Sequence, residues 1–397
     1  MVKQQQLLAL ADELESSFFV YDLDGLNEHL KLIQQYSFPG LRLWYACKAN
    51  PLSAILNSIK EAGFGIDVAS MGELAHTKAQ GFSGTNTLAT GPAKSKKYLQ
   101  RLLSAGVGTI VCESLNQVRW LNEVAQEMGI RPDILLRVQL DWEEGSSVLG
   151  GNDITPFGID LAQWQQLTVD DYKSLNLLGF HVFQWGNILE IERLEAIWTL
   201  IMERMNEFAN QLGLESAIID LGGGLGIPYS ETEERLDFAD VAALLQQLKS
   251  QFGFNEIWLE LGRYIVGDYG QYVTQVIDRK AVRGKELLIT EGGMNHIARP
   301  ALTGQPFPCQ NLRDSLQPNK PFQIHGPLCT ALDKLGTLDL PEDTAPGDWL
   351  VMHQTGAYGM TESMPYFLCH DLPAEVVTYQ GKVDIIQPTQ TAAAWIR

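Results

Sequence analysis

The sequence is poor in cysteine, and its cysteines and histidines lack the spacing of metal ligands. Its 397 residues include five cysteines and seven histidines, with no CxxC and no HxxxH motif among them. An odd number of widely separated cysteines argues against a disulfide framework and against a zinc site, so we expect reduced thiols and no metal. The thiols belong to Cys47, Cys112, Cys309, Cys329 and Cys369.

Positive charge is scarce as well, because 29 Lys and Arg residues face 48 Asp and Glu residues and leave a formal net charge of −19. Such a surface repels nucleic-acid phosphates and anionic lipid, so we expect neither nucleic acid nor membrane as a partner. The sequence shows no secretory signal and no apolar run long enough to span a membrane. We therefore expect a cytoplasmic protein.

Apolar residues make up 45% of the chain, which is enough for a folded core, and the length suits two or three domains. In the first two thirds, eight short apolar runs alternate with longer amphipathic stretches. This pattern predicts an α/β fold with a (β/α)8 barrel, although a doubly wound open sheet gives the same local pattern. The predicted strands are Leu41–Ala46, Gly65–Ala69, Thr87–Ala89, Thr109–Cys112, Ile134–Gln139, Leu178–Val182, Ala217–Leu221 and Ile257–Leu261. The predicted helices include Pro51–Ala62, Gly72–Gln80, Ser95–Ala105, Leu115–Met128, Glu190–Leu212 and Phe238–Phe252.

After about residue 270 the long helical patterns end, and short apolar runs separated by Gly, Pro and Asn predict an all-β domain. We place the barrel at residues 23–270 and the all-β domain at residues 271–397, completed by residues 1–22. The run Phe18–Tyr21 suits a strand of either domain. The predicted all-β strands include Gln271–Ile277, Lys285–Thr290, Pro321–Ile324, Trp349–Met352 and Val383–Ile386.

Two side chains suggest covalent or proton-transfer chemistry. Lys48, in WYACKANP, follows the first predicted strand among apolar residues, which would lower the pKa of its amine and suit it to Schiff-base chemistry. Cys329, in HGPLCTALDKLG, follows a Gly-Pro turn and is a candidate proton donor. Taken alone, each pattern is more common in a surface lysine and in a small buried cysteine.

Two further segments suggest anion binding. Gly222, Gly223 and Gly224 follow the seventh predicted strand, where barrels commonly bind phosphate, and three glycines exceed the needs of a turn. Glu260 and Arg263, in LELGRYIV, lie at the end of the eighth predicted strand. Arg263 suits a phosphate and Glu260 a protonated ring nitrogen, although an isolated pair of this spacing is more often a surface salt bridge.

Taken together, these segments resemble the fold type III pyridoxal-phosphate decarboxylases, the group of diaminopimelate and ornithine decarboxylases. The resemblance spans residues 18–378 and implies an alanine racemase-like (β/α)8 barrel with a C-terminal all-β domain. The matching segments, in family order, are YACKANP, GIDVASMGEL, GPAKS, LLRVQL, GFHVF, LGGGLGIPY, LELGRYIV, ITEGGMNHIARPAL, GPLCTALD, TGAYGMTESMPYF and PAEVV.

The resemblance implies pyridoxal 5'-phosphate as the cofactor and gives roles to individual residues. Lys48 matches the lysine that attaches covalently to the cofactor, and Glu260 matches the acid that pairs with its ring nitrogen. Cys329 matches a thiol that reaches the active site from the partner subunit, which implies a homodimer with shared active sites. The other positions that match cofactor-binding residues are Asp67, Ser70, Glu73, Arg137, Gly222, Gly223, Gly224, Arg263 and Tyr358.

Three departures from the family pattern bear on the site. The acid that follows the active-site cysteine in diaminopimelate and ornithine decarboxylases is replaced by Thr330, which cannot balance an ammonium group. Arg299 is retained, but Thr303 replaces a tyrosine four residues later. The ring-stacking HxGSQ element reads FQWGN, which leaves either Phe183 or His181 as the residue that stacks on the cofactor.

These departures favour a substrate whose far end is anionic, with Arg299, Thr330 and Asp333 as the expected substrate-binding residues. The GPLCT segment is closest to members of siderophore and antibiotic pathways. We expect decarboxylation of an amino acid or of a carboxylate-rich, citryl-type conjugate from a siderophore pathway. The alternatives are diaminopimelate decarboxylation in lysine biosynthesis and decarboxylation of a glutamyl carrier protein, which a charge of −19 disfavours. An amino-acid racemase and a non-catalytic relative are less favoured, because Glu260 and Lys48 are retained.

Overall fold

The structure, a computed structural model, describes residues 1–142, 151 and 153–396. Its contacts divide the chain into two units. The barrel unit comprises Leu30–Ile227 and Glu234–Gly262, and the sheet unit comprises Met1–His29, Pro228–Glu233 and the chain from Arg263 onward. This division falls at residues 30 and 262, compared with the expected bounds of 23 and 270.

The N-terminal elements are α1 (Gln4–Leu14), β1 (Phe18–Asp22) and α2 (Leu23–Gln35). The barrel unit then contains eight parallel strands that pair in chain order, and the last strand pairs with the first. These strands are β2 (Leu41–Ala46), β3 (Gly65–Val68), β4 (Thr87–Ala89), β5 (Thr109–Cys112), β6 (Asp133–Arg137), β7 (Asn176–His181), β8 (Ile218–Asp220) and β9 (Glu256–Leu261). This closure confirms the predicted barrel and rules out the doubly wound open sheet.

The barrel helices begin and end where local chemistry favours it. Ser95 and Ser114 each accept a hydrogen bond from a backbone N–H of the helix that follows, and Gly129 and Gly213 end two helices in the left-handed conformation. The helices are α3 (Ser53–Glu61), α4 (Met71–Ala79), α5 (Lys96–Ser104), α6 (Leu115–Met128), α7 (Leu161–Trp164), α8 (Val169–Tyr172), α9 (Ile191–Leu212) and α10 (Phe238–Phe252). Among the described residues, no helix is both long enough and apolar enough to cross a bilayer.

The sheet unit contains a nine-stranded mixed sheet within the described part of the chain. Strand β1 pairs antiparallel with β10 and parallel with β16, so the run Phe18–Tyr21 belongs to this sheet. Its other strands are β10 (Gly270–Val282), β11 (Lys285–Thr290), β12 (Cys309–Asn311), β13 (Asn319–His325), β14 (Lys334–Pro341), β15 (Trp349–Met352), β16 (Ala374–Tyr379) and β17 (Lys382–Gln387). Two short helices, α11 (Arg263–Val266) and α12 (Arg299–Thr303), complete the unit.

Candidate active site

The barrel interior changes from apolar to polar toward the carboxyl ends of the strands. An apolar cluster brings together side chains from six strands: Trp44, Leu88, Val111, Leu135, Ile218 and Trp258. Side chains alternate along a strand, so the residues two positions further on point the same way. They are Ala46, Thr90, Glu113, Arg137, Asp220 and Glu260. The sequence therefore builds a polar layer at the end of the barrel where enzymes of this fold carry their active sites.

Lys48 lies in a 3-10 turn directly after β2, with its amine 3.5 Å from a carboxylate oxygen of Asp67. The Lys48 side chain is 41% exposed, whereas that of Asp67 is 1% exposed and accepts a hydrogen bond from Thr90. Burial and the nearby charge of Glu260 raise the pKa of Asp67 to about 7. The lysine amine is thus accessible beside a carboxyl group that titrates near neutral pH.

Glu260 and His181 form a buried, hydrogen-bonded pair at the centre of the polar layer. The His181 Nε2 atom lies 2.9 Å from the Glu260 carboxylate, and both side chains are at most 3% exposed. Burial opposes ionisation of Glu260, but His181 and the positive Lys48 and Arg137 hold its pKa below the usual range. Burial lowers the pKa of His181. A neutral His181 that donates from Nε2 leaves Nδ1 as an acceptor, and Nδ1 is buried without a hydrogen-bond partner among the described residues.

Asp220 is a second carboxyl group in this centre. Its Oδ1 atom accepts the backbone N–H of Gly222 at 2.8 Å, and its side chain is fully buried. Burial and the charge of Glu260 raise the pKa of Asp220 well above its usual value. Burial and Glu260 therefore favour the protonated form of Asp220, as expected for two buried carboxyl groups in close proximity.

A second network fixes Arg137 at the end of β6. Its guanidinium donates to Glu113 at 3.1 Å and to the carbonyl of Phe183 at 3.5 Å. The buried amine of Lys94 lies 3.9 Å from the same Glu113 and donates to backbone carbonyls, one of them that of Val111. Burial lowers the pKa of Lys94 to about 8. Arg137 is thus held in place by a network that spans β5, β6 and the GPAKS segment.

The glycine loop after β8 lies against Phe183. A Cβ atom on Gly222 would come within 2.4 Å of the Phe183 side chain, and Gly222 has a φ of +63°. A Cβ atom on Gly223 would come within 2.4 Å of the Glu260 carbonyl oxygen. Both positions therefore require glycine, and the loop is held close to Phe183 and Glu260. The His181 ring, in contrast, contacts Glu260.

Ser70 and Glu73 have a local structural function. The Ser70 hydroxyl accepts the backbone N–H of Glu73 at the start of α4, and the Glu73 carboxylate accepts the N–H of Ala69. These bonds are those of a helix N-cap. The expected cofactor contact of Ser70 remains a prediction.

The sheet unit brings together Arg263, Tyr358 and Arg299. The Arg263 guanidinium lies 4.7 Å from the Tyr358 ring centre. Arg299 is 3% exposed and lies 4.3 Å from the ring centre of Tyr229 and 5.2 Å from that of Phe307. Its Nη2 atom donates to Gln305 at 2.8 Å.

The other guanidinium nitrogen of this side chain, Nη1 of Arg299, is buried without a hydrogen-bond partner among the described residues. Burial lowers the pKa of Arg299 from its ordinary value, but a guanidinium remains charged at neutral pH. A buried cation that lacks one partner is suited to receive an anion.

Cys329 and Thr330 lie on an exposed loop that Asp333 holds in place. Cys329 is exposed and Thr330 is half-buried. Asp333 is 1% exposed, and its two oxygens accept the backbone N–H groups of Met294 and Leu328, each at 2.7 Å. These bonds give Asp333 a loop-anchoring function, and its expected contact with substrate remains a prediction.

The sequence-based interpretation missed four residues of these networks. Lys94 lies in the quoted GPAKS segment, and Asp220 lies two residues before the first glycine of the glycine run, so both were within reach of a motif-based argument. Tyr229 ends the quoted LGGGLGIPY segment, but its arginine partners are distant in sequence. Glu113 gave no signal beyond its position directly after a strand.

The polar layer fits pyridoxal 5'-phosphate. An accessible lysine amine, a buried ionised carboxylate and a glycine loop without Cβ atoms suit an aldehyde, a protonated ring nitrogen and a phosphate, respectively. Of the metal-ligating side chains in the described residues, only His181, Asp220 and Glu260 cluster closely enough to hold an ion. Within this cluster, His181 Nε2 lies 2.9 Å from a Glu260 oxygen, and Asp220 Oδ1 accepts the backbone N–H of Gly222.

Comparison with known proteins identifies relatives over nearly the whole chain. The family described as pyridoxal-dependent decarboxylase, pyridoxal binding domain, matches residues 23–267. An L-glutamyl-[BtrI acyl-carrier protein] decarboxylase of Niallia circulans is 28% identical, over 98% of this chain and 95% of the relative. A diaminopimelate decarboxylase of Bacillus subtilis is 30% identical, over 97% of this chain and 91% of the relative.

A third relative bears on the substrate. The 2-[(L-alanin-3-ylcarbamoyl)methyl]-2-hydroxybutanedioate decarboxylase of Staphylococcus aureus is 28% identical, over 92% of this chain and 95% of the relative. Among solved structures, a crystal structure from Aquifex aeolicus aligns with a TM-score of 0.86 at 26% identity, over 98% of this chain and 92% of that one. The relatives thus share one fold but differ in the substrates that their names give.

Proposed function

We propose a substrate class for this chain, which belongs to the family of pyridoxal-dependent decarboxylases. It is a carboxy-lyase that uses pyridoxal 5'-phosphate. We propose that its substrate is an amino acid joined to a carboxylate-rich group, of the citryl type. The observation that carries this proposal is the buried Arg299, whose Nη1 atom has no partner among the described residues.

The residues of the barrel unit would hold the cofactor as follows. Lys48 offers the amine that attaches to it, and Asp67 holds that amine by charge. Glu260, ionised and fixed by His181, keeps a proton on the ring nitrogen. Phe183 is the better candidate for stacking on the cofactor ring. The His181 ring is hydrogen-bonded to Glu260, whereas Phe183 packs against the glycine loop.

In the barrel unit, Gly222, Gly223 and Gly224 would hold the phosphate. The resemblance to the family also assigns phosphate binding to Arg263 and Tyr358. When bound, the cofactor supplies the electron sink that accepts the electron pair left as CO₂ departs. The charge of Glu260 supports that sink, because it stabilises the protonated ring. Arg137, locked by Glu113, would keep Phe183 and the loop in position. The thiol of Cys329 would then return a proton to the carbon that lost CO₂.

The far end of the substrate would meet Arg299 and Thr330. A distal ammonium would face a neutral hydroxyl and a buried cation there, and a buried charge without a counter-charge costs several kcal/mol. A distal carboxylate would instead supply the missing partner of Arg299. The Staphylococcus aureus relative, whose name describes such a carboxylate-rich conjugate, is consistent with this assignment.

We further propose that the enzyme is a homodimer in which Cys329 serves the partner's site. The exposed cysteine loop also carries Leu332, whose side chain is 68% exposed. Leu332 lines one cleft with Pro300 and Ala301, so part of the surface beside the loop is apolar. Such a surface is suited to a protein interface.

Two other substrates follow from the relatives. Diaminopimelate is the substrate in the name of the Bacillus subtilis relative, and a glutamyl carrier protein is that of the Niallia circulans relative. The distal carboxylate of diaminopimelate would suit Arg299, but its distal ammonium would lack the acid that Thr330 replaces. An acidic carrier would be repelled by a net charge of −19.

The experiment that tests the proposal is a CO₂-release assay on the purified, cofactor-loaded protein. The panel comprises L-ornithine, L-lysine, meso-diaminopimelate, L-glutamate and a citryl conjugate of L-2,3-diaminopropionate. We expect the citryl conjugate to have the highest kcat/KM. A higher kcat/KM for diaminopimelate would replace this proposal with the lysine-pathway alternative.

A further inference from the structure

Two arginines of the sheet unit contact the same tyrosine. The Arg263 guanidinium donates to the Tyr229 hydroxyl, and its central carbon lies 5.7 Å from the Tyr229 ring centre. The central carbon of Arg299 lies 4.3 Å from that ring centre. Tyr229 is 6% exposed, so its ring and hydroxyl are held within the packed interior of this unit.

Each arginine also contacts a second aromatic ring. Phe307 lies 5.2 Å from the central carbon of Arg299, and the Tyr358 ring lies 4.7 Å from that of Arg263. The Tyr229 and Phe307 rings meet edge to face, with their centres 5.5 Å apart. A guanidinium is planar and weakly hydrated, and it stacks on aromatic rings without losing its charge.

Contacts of an arginine with an aromatic ring and a hydroxyl affect anion binding differently from an ion pair with a carboxylate. A carboxylate within salt-bridge distance would hold each arginine but would also neutralise it, whereas an aromatic ring and a hydroxyl orient the cation without neutralising it. The carboxyl group of Glu362 interacts electrostatically with both arginines, but burial raises its pKa, and it forms no salt bridge with either of them among the described residues. The buried Nη1 atom of Arg299, which lacks a partner among the described residues, shows that this charge has spare hydrogen-bonding capacity.

We propose that Tyr229 is the positioning residue shared by the two arginines, acting on Arg263 through its hydroxyl and on Arg299 through its ring. The inference rests on the proposed function, in which Arg263 binds the cofactor phosphate and Arg299 binds the anionic end of the substrate. Tyr229 then links cofactor retention to anion recognition without touching the reacting atoms.

The two contacts are separable by substitution. Tyr229→Phe removes the hydroxyl and keeps the ring, whereas Tyr229→Leu removes both. Tyr229→Met is a second ring-less variant, whose flexible side chain fills the vacated space. Tyr379→Phe, on an exposed tyrosine of β16, is the matched control.

The experiment measures two dissociation constants that do not depend on turnover. The first is that of pyridoxal 5'-phosphate for the apoprotein, from a fluorescence titration. The second is that of citrate, the probe for the anion subsite, for the cofactor-saturated protein, from calorimetry. Far-ultraviolet circular dichroism establishes that each variant is folded.

We expect Tyr229→Phe to weaken cofactor binding about tenfold and to leave citrate binding unchanged. Tyr229→Leu and Tyr229→Met should weaken both, citrate by about tenfold. Tyr379→Phe should change neither. The inference is overturned if Tyr229→Phe leaves cofactor binding unchanged, or if the folded ring-less variants bind citrate as the wild type does.

Arg263→Met and Arg299→Met distinguish this failure from that of the proposed function. If they weaken cofactor and citrate binding, respectively, while the Tyr229 variants do not, only the inference about Tyr229 is wrong. If the two arginine variants bind both probes normally, the proposed roles of the arginines are wrong, and the inference falls with them.

Discussion

Replacing Arg299 by methionine separates a function in binding from one in folding. The guanidinium is 3% exposed, makes one hydrogen bond to Gln305 and lies beside the rings of Tyr229 and Phe307. These contacts stabilise the folded chain by about 1–3 kcal/mol together. Against them stands the cost of burying a cation with one nitrogen unpartnered, which is several kcal/mol. We therefore expect Arg299→Met to leave the unfolding temperature of the apoprotein unchanged or to raise it.

The effect on the reaction should be much larger. Losing the pairing of a buried carboxylate costs about 3–5 kcal/mol, which is roughly a 10²- to 4 × 10³-fold loss in kcat/KM for a citryl conjugate. An analogue whose carboxylates are replaced by carboxamides loses only a neutral hydrogen bond, about 1 kcal/mol. The assay is CO₂ release from both compounds by the wild type, Arg299→Met and the charge-retaining Arg299→Lys.

The result that would refute this reasoning is an equal loss of kcat/KM for the carboxylate and the carboxamide, because charge would then play no part. A fall of the unfolding temperature by more than a few degrees, with equal losses on both compounds, would give Arg299 a purely structural function.

Four further predictions test other parts of the account. Borohydride reduction of the loaded enzyme followed by peptide mapping should place the cofactor adduct on Lys48; an adduct on another lysine contradicts the assignment. Mixing Lys48→Ala with Cys329→Ala should restore part of the activity through mixed dimers, each with one intact site; proven subunit exchange without activity would mean that Cys329 acts within its own chain. Thr330→Glu should raise kcat/KM for diamines and lower it for citryl conjugates, and an unchanged preference would exclude this position from specificity. The pKa of Asp67 is about 7 in the folded protein and lies above that of an unfolded Asp, so the stability of the apoprotein should fall as the pH rises from about 4 to about 7. Denaturant unfolding should show a smaller fall for Asp67→Asn than for the wild type. An equal fall in the two proteins would contradict the raised pKa.

Most of the barrel could be predicted from sequence because its strands and helices differ in period. Leu115–Met128 and Phe238–Phe252 carry strong helical patterns with clear ends, and the structure places helices over the same residues. The all-β part was harder, because strands such as Cys309–Asn311 and Lys334–Pro341 are short or alternate irregularly. Closure of the barrel depends on pairing between its first and last strands, which local periodicity does not report.

The residues of the site also fall into two groups, those that stand in sequence motifs and those that depend on tertiary contacts. Lys48, Glu260 and the glycine run stand in recognisable segments, so their proximity follows from the strand ends of a barrel. The partners that set their chemistry are distant in sequence. The hydrogen bond of His181 to Glu260 joins residues 79 positions apart, and Tyr229 contacts Arg299, which lies 70 positions further along the chain on α12. Such contacts depend on tertiary packing and are invisible in a local pattern.

The proposed substrate class depends on binding of the anionic end of the substrate by the unpartnered nitrogen of Arg299. The most direct test is a crystal structure of the cofactor-loaded enzyme with the amine left by decarboxylation of a citryl conjugate. We expect a carboxylate oxygen within hydrogen-bond distance of Arg299 Nη1, with the Tyr229 and Phe307 rings still beside the guanidinium. A carboxylate bound elsewhere, with Nη1 still unpartnered or bonded to the cofactor phosphate, would contradict it.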